Sequence, residues 1–163
     1  MARTLTPIEN GMRVMEKSFA KTLCFVLLIF IGFLQLNSQT VKKCSYCKMI
    51  FQFPEFGGEI ITIKHDTLWY DASECLASAI AREFIKKSDI RSIRSVNYLK
   101  PTEWIDNSKA FFLRSDKIQS PMSMNISAYK NRKDVESQQK KYGGDILRWT
   151  DVVDLINKKW FRK

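Results

Sequence analysis

The sequence contains little histidine, glycine or proline. Of its 163 residues only one is histidine, His65, six are glycine and four are proline. A single histidine disfavours enzymes that need several histidine ligands, or a histidine base beside a histidine ligand. The low glycine and proline content, together with 45% hydrophobic and 12% aromatic residues, excludes collagen-like, low-complexity and wholly disordered chains. The length predicts one compact domain or two very small ones.

Several catalytic motifs are also missing, whereas positive charge is in excess. The sequence has no glycine-rich phosphate loop, nucleophile elbow or paired-carboxylate motif. Lysine and arginine number 27 against 17 acidic residues, giving a net charge of +10. Such a charge suits a basic face towards anionic lipid, an acidic protein or nucleic acid. The basic residues are scattered and no nucleic-acid-binding signature accompanies them, so we interpret them as a solvated surface and predict no nucleic-acid partner.

The N-terminal segment contains an uncharged apolar run, residues 24–36, which is shorter than the roughly 20 residues of a transmembrane helix. Lys17 and Lys21 precede this run and polar residues follow it. The pattern predicts an export signal over residues 1–39, and a retained N-terminal anchor that associates with the membrane is the alternative. Cys24, at the start of the run, is poorly placed for lipidation. We therefore expect an exported protein, in the periplasm or facing it at the inner membrane.

Helices are predicted in three places after the signal. Apolar residues recur at helical spacing over residues 72–87, where Asp71 and Glu74 form a capping-box arrangement. An asparagine cap and a closing glycine pair delimit a second helix at residues 132–142. Thr150 predicts the start of a third helix.

Short strands are predicted between these helices, with residues 88–95 as a charged connector. The predicted strands are residues 49–53, 60–63, 68–70, 95–99, 109–114, 122–129 and 146–149. Tight turns between the first strands indicate antiparallel pairing. We predict an α+β fold of two small related units of antiparallel strands packed with helices, at residues 40–90 and 91–163.

The most informative motif is Cys44-x-x-Cys47-x-Met49, which places two thiols and a thioether within six residues. Sulfur donors are soft and select Cu(I) over ions that prefer carboxylate or water. Cu(I) tolerates two or three ligands, so the site can stay open and pass the metal onward. Met122 and Met124 are further candidates, because residues two apart on a strand point to the same side. Methionine is also ordinary core filler.

Other interpretations of Cys44 and Cys47 remain open. A thiol–disulfide oxidoreductase would place the first cysteine at a helix N-terminus, whereas the residues after this motif favour a strand. Another alternative is a disulfide between Cys44 and Cys47 whose only role is to cross-link a structural or binding module. Structural zinc would need two more ligands, for which Cys75 and His65 are the candidates. Cys75 is interpreted as a buried structural thiol with a third-ligand role as the alternative, and His65 as an exposed turn residue.

Five segments also follow one another in a family-specific order. They are residues 44–49 with C-x-x-C-x-M, 68–71 with an aromatic-plus-aspartate step, 104–112 with W-I-D-x-x-K-A, 121–123 with Pro-Met, and 142–149 with a Gly-Gly turn and closing strand. This ordered set resembles the NosL family of copper-binding accessory proteins for nitrous oxide reductase. The resemblance covers about residues 44–156.

The resemblance implies an exported protein without catalytic activity that binds Cu(I) and delivers it to a nitrous oxide reductase maturing outside the cytoplasm. The reductase and its maturation transporter are the implied partners, and two related α+β units are the implied fold. Carried over to this sequence, Cys44, Cys47 and Met49 form the family's early sulfur motif, and Met122 is its Pro-Met methionine, a copper ligand.

Two departures from the family pattern bear on the site. Many members are lipoproteins, and this chain has no credible lipobox. Many members also carry histidine immediately before the glycine pair, where this chain has Tyr142. If that histidine is a ligand in relatives, Met124 or Cys75 is left to compensate here.

Overall fold

In the computed structural model, which describes residues 42–162, two antiparallel sheets pack with three helices. The strands are β1 (Gly58–Thr62), β2 (Thr67–Tyr70), β3 (Ile90–Asn97), β4 (Lys100–Asp106), β5 (Phe111–Arg114), β6 (Ile126–Tyr129) and β7 (Asp145–Leu147). The helices are α1 (Ser73–Ala81), α2 (Arg132–Tyr142) and α3 (Trp149–Ile156), and a π-helical turn at Asn157–Phe161 continues α3. The predicted α+β class is confirmed. The export signal predicted for residues 1–39 lies outside the described residues.

The two sheets have the strand orders β2-β1-β3-β4 and β6-β5-β7, and every neighbouring pair is antiparallel. The predicted boundary between the two units, at residue 90, falls within the first sheet. Strand β1 lies before this boundary, nearly all of β3 lies after it, and the two strands pair along Gly58–Thr62. Pro101 lies in β4, an edge strand, where a residue without an amide proton costs no ladder hydrogen bond.

Local sequence is misleading in two strand regions. Residues 88–95 are predicted as a connector but mostly form β3, because pairing with β1 outweighs the charged local composition. The strand predicted at residues 49–53 is absent from the described residues. A single bridge between Lys43 and Ile50 stands in its place, followed by a 3₁₀ turn that begins at Pro54.

Helix α1 is shorter than predicted, whereas α2 matches its prediction. The N-cap of α1 is Ala72, which makes no side-chain capping bond, so the predicted Asp71 cap is wrong. The helix ends early because Glu83 adopts a φ of 51° and the chain turns back. In α2, the Asn131 side chain accepts a hydrogen bond from the Asp134 amide at 2.9 Å, and the helix ends before Gly143, as predicted.

Helix α3 begins at Trp149, one residue before the predicted Thr150 cap. The Arg148 amide donates to the Asp151 carboxylate at 2.8 Å, which satisfies one free amide at the helix start. Among residues 42–162, the helices are all too short or too polar to traverse a lipid bilayer.

Two buried apolar clusters meet at helix α1. The site cluster is Cys44, Ile60, Tyr70, Cys75, Leu76 and Ala79. The central cluster is Ala77, Ile105, Ala110, Phe112, Ile126, Ala128, Val152 and Ile156. Helix α1 contributes to both, and Trp149 packs against both, so the first sheet, α1 and α3 hold one another in place. Each fully buried large side chain contributes about 1.5–3 kcal/mol to this packing.

We predict that Gly144→Ala destabilises the protein much more than Gly143→Ala. A Cβ atom at Gly144 would lie 2.0 Å from the Arg114 carbonyl oxygen, in addition to the strain of a φ of +97°. At Gly143 the φ is +70° but nothing lies within 4 Å of the added atom, so only backbone strain of about 1–3 kcal/mol is expected. Equal losses in chemical denaturation would contradict this close approach of the glycine pair to β5.

Candidate metal centre

Three thiols and one carboxylate converge in the described part of the chain. The Sγ atoms of Cys44, Cys47 and Cys75 and a carboxylate oxygen of Asp71 all lie within 4.8 Å of one another. Cys44, Asp71 and Cys75 are buried, and Cys47 is partly exposed. The three cysteines are free thiols. A single metal ion placed among these atoms would contact all four donors, at a position that is partly open to solvent beside Cys47.

The loop of residues 43–50 positions the first two thiols. The Cys44 amide donates to the Met49 carbonyl at 2.8 Å, and the Lys48 amide donates to the Cys44 carbonyl at 3.0 Å. Lys48 adopts a φ of 66°, which reverses the chain. The Ser45 amide donates to the Trp69 carbonyl at 2.7 Å and so attaches the loop to the end of β2. The loop therefore presents Cys44 to the interior and leaves Cys47 at the surface.

The junction between β2 and α1 positions the other two donors. Strand β2 ends at Tyr70 and α1 begins at Ser73, so Asp71 and Cys75 lie at the same end of the sheet. Asp71 accepts hydrogen bonds from the Cys47 thiol, with both carboxylate oxygens 3.5 Å from Sγ. It therefore serves the site instead of capping the helix. The Cys75 side chain is fully buried in the site cluster.

Hydrogen bonds and burial divide the thiols into one acidic and two weakly acidic groups. The hydrogen bond from the Cys75 thiol lowers the pKa of Cys44 from 9.0 to about 6, although burial works in the opposite direction. Burial raises the pKa of Cys47 to about 11. The pKa of Cys75 is raised well above its usual range, because Cys75 donates to Cys44 and is buried. Cys44 is therefore the thiol that ionises first as the pH rises.

Of the three candidate methionines, Met122 packs against the site cluster. Residues 121–124 form turns and bends before β6, so the prediction that Met122 and Met124 lie on a strand is wrong. Met124 packs against the central cluster, because the turn separates the two side chains. Met49 is 51% exposed, and its carbonyl supports Cys44.

Asp71 and Cys75 complete the group that the sequence only partly predicts. The sequence pattern assigns Asp71 to the helix cap and gives Cys75 a third-ligand role only as an alternative. A carboxylate at the end of β2, four residues before a cysteine of the next helix, is the available signal. His65 lies exposed in its turn, as predicted, and contacts Arg91, with Nη1 and Nδ1 2.9 Å apart.

The sequence model of the NosL family matches residues 35–156, which is more than half of the chain. The chain belongs to the NosL family. No curated protein sequence matches this NosL-family protein. Its fold is similar to the crystal structure of the copper chaperone NosL from Shewanella denitrificans, with a TM-score of 0.58 and 16% sequence identity. The match covers 71% of this chain and 94% of that chain, and at this identity it shows a common fold.

We predict that the reduced NosL-family protein without added metal shows one thiolate titrating with a midpoint near pH 6, the lowered pKa of Cys44. Ultraviolet thiolate absorbance would rise through this midpoint as pH increases, because a lowered pKa favours the charged form above it. Cys75→Ala should move the midpoint up towards 9, since the donor is lost. Cys75→Ser is the control, because its hydroxyl still donates. An unchanged midpoint in Cys75→Ala would contradict the assignment.

Proposed function

We propose that this NosL-family protein is a Cu(I) chaperone that binds the ion with sulfur donors and passes it to a protein partner. The observation that carries the proposal is the convergence of three free thiols within 4.8 Å, with Met122 packed against the same cluster. Family membership supports it, as does the similar fold of the copper chaperone from Shewanella denitrificans. The copper ion is cargo in this role, and no catalytic activity is required.

The donor types favour Cu(I) over zinc. Cysteine and aspartate both bind Zn²⁺, so Cys44, Cys47, Cys75 and Asp71 alone would suit either ion. A methionine thioether is a soft donor that selects Cu(I) and is not among the usual zinc ligands. Because Met122 packs on the site cluster, we propose its thioether as a donor that Cu(I) would use and zinc would not.

The site offers an anionic sulfur ligand to a cation before any metal is bound. Four groups that can carry a negative charge lie within 4.8 Å of one another. If all were ionised they would repel strongly in a buried environment, so only some of them are ionised before metal binds. A thiolate at Cys44 provides a first anionic ligand at neutral pH. Bound metal then stabilises further thiolates and releases their protons.

The arrangement of exposed and buried donors suits transfer. Cys47 is the partly exposed thiol, whereas Cys44 and Cys75 are buried. A partner's ligand can approach the ion from the Cys47 side while the buried thiols still hold it. An open coordination position is the feature that separates reactive metal sites from closed structural ones.

A thiol–disulfide oxidoreductase fits this geometry poorly. Such enzymes need an acidic, solvent-accessible cysteine, usually at a helix N-terminus. Here Cys44, whose pKa is lowered, is only 1% exposed, and the more accessible Cys47 has a raised pKa. Both cysteines lie in a turn, not at the start of a helix. A purely structural disulfide between Cys44 and Cys47 is not favoured either, because both cysteines are free.

We further propose that the client is a nitrous oxide reductase that matures outside the cytoplasm, with its maturation transporter as a second partner. The support is membership of the NosL family, together with the signal-like pattern of residues 1–39. Export would place a copper carrier where such a reductase acquires its metal.

We expect the mature protein to bind one Cu(I) in an anaerobic titration against a competing chelator. Cys44→Ser and Met122→Leu should each weaken binding by about tenfold or more, about 1.4 kcal/mol, because each removes a sulfur donor. Met124→Leu is the matched control, because Met124 packs against the central cluster, and it should change affinity by less than about twofold. Absence of Cu(I) uptake, or full affinity in a Cys44→Ser, Met122→Leu double variant, would refute the proposal.

We also expect the full chain, expressed in a Gram-negative bacterium, to lose residues 1–39 and to appear in the soluble periplasmic fraction. Intact-mass measurement of the purified protein locates the cut. Recovery of the uncut chain in the membrane fraction would instead indicate a retained anchor.

A further inference from the structure

Outside the candidate metal centre, the most unusual group in the described residues is the side chain of Glu74. It is fully buried in the first turn of α1, directly before Cys75. One carboxyl oxygen, Oε1, accepts a hydrogen bond from the Ser120 hydroxyl. The other, Oε2, is buried and has no hydrogen-bond partner among residues 42–162. Burying a carboxyl group with an unpaired oxygen destabilises the fold, so the presence of Glu74 at this position calls for a functional explanation.

The partner of Glu74 begins the turn that carries Met122. Ser120 also accepts a hydrogen bond from the Asn125 amide at 2.9 Å, and its own amide donates to the Asn125 side chain at 3.3 Å. The Ser123 amide donates to the Ser120 carbonyl at 3.1 Å. Ser120 therefore organises the whole turn of residues 120–125.

This turn is strained and needs external support. Ser123 and Asn125 each have a φ of 62°, a left-handed conformation that non-glycine residues adopt at a cost. One backbone hydrogen bond joins the turn to the end of β5, from the Ser115 amide to the Asn125 carbonyl at 3.0 Å. The bond to Glu74 connects it to α1, the helix that carries Cys75.

We propose that Glu74 is a positioning residue for the metal centre, which holds the turn of residues 120–125 so that Met122 stays against the site cluster. The proposal rests on the proposed Cu(I) function. Two adjacent residues of α1 then serve the same centre, because Cys75 supplies a thiol to the group and Glu74 supports the turn that brings a thioether to it. Residues that hold ligands in place are as necessary to affinity as the ligands themselves.

A purely structural role for Glu74 makes a different prediction. If the carboxyl group only stabilised α1, removing it would weaken copper binding to the same extent with or without the Met122 sulfur. If it acts through Met122, the loss should nearly vanish once Met122 is replaced. A double-mutant cycle between the two positions measures this dependence.

The test compares Glu74→Leu and Glu74→Gln, each alone and combined with Met122→Leu, in anaerobic Cu(I) titrations. Glutamine keeps an oxygen that accepts from Ser120, so Glu74→Gln should bind Cu(I) within about twofold of the parent. Glu74→Leu should bind about five- to tenfold more weakly than the parent, but less than about twofold more weakly in the Met122→Leu background. Equal losses in both backgrounds would overturn the proposal.

A second readout does not require copper. The methyl resonance of Met122 in the reduced protein without metal, assigned by comparison with Met122→Leu, should move towards that of an exposed methionine in Glu74→Leu and stay in place in Glu74→Gln. An unmoved resonance in Glu74→Leu would overturn the proposal. If the parent binds no Cu(I), the proposed function fails, and this resonance still decides whether Glu74 positions Met122.

Folding of the variants is checked by circular dichroism. Glu74→Ala provides the same test if Glu74→Leu does not fold, because alanine also offers no acceptor to the Ser120 hydroxyl. We expect the same dependence of the affinity loss on Met122.

Discussion

The crowding of ionisable groups around Cys44 is the constraint on which the candidate metal centre depends. Three thiols and a carboxylate within 4.8 Å of one another cannot all be ionised in a buried environment. The pKa of Cys44 is lowered, whereas those of Cys47 and Cys75 are raised, so Cys44 is the first of the three thiols to ionise. The same constraint pairs the Cys47 thiol with the Asp71 carboxylate. Hydrogen bonds thus hold part of the group together before any ion binds.

Helix α1 explains how so short a chain holds this group in place. Its residues reach three different neighbours: Cys75, Leu76 and Ala79 pack in the site cluster, Ala77 packs in the central cluster, and Glu74 bonds to the turn before β6. Side chains on a packed helix have few conformations open to them, which makes their positions more precise than those of loop residues. The loop that carries Cys44 and Cys47 is fixed by the hydrogen bond from the Ser45 amide to β2 and by the chain reversal at Lys48. As a result, the thiols of Cys44 and Cys75 are buried, whereas the Cys47 thiol is partly exposed.

The elements that the sequence predicted correctly are those with strong local signals. Helix α2 has an asparagine cap and a terminal glycine, and both act as expected. The segment of β3 has no such signal, since its charged residues resemble a connector and only pairing with β1 and β4 makes it a strand. For α1, Asp71 and Glu74 have the spacing of a capping box, yet each is used by a distant partner instead. Short-range patterns do not show such competition, because the winning contact lies 24 or 46 residues away along the chain.

The sequence by itself determined the chemistry of this protein: the Cys-x-x-Cys-x-Met spacing, the scarcity of histidine and the ordered motifs indicated soft sulfur ligands and the NosL family. Only the tertiary structure decided which donors meet. It brought Asp71 and Cys75 to the thiols, set Met122 against the site cluster and Met124 against the central one, and left Met49 half exposed. The reason is geometric, because residue spacing specifies neighbours only within a helix, strand or turn. The hydrogen bond from the Ser45 amide to the Trp69 carbonyl and the packing of α1 bring together donors that are distant in the chain.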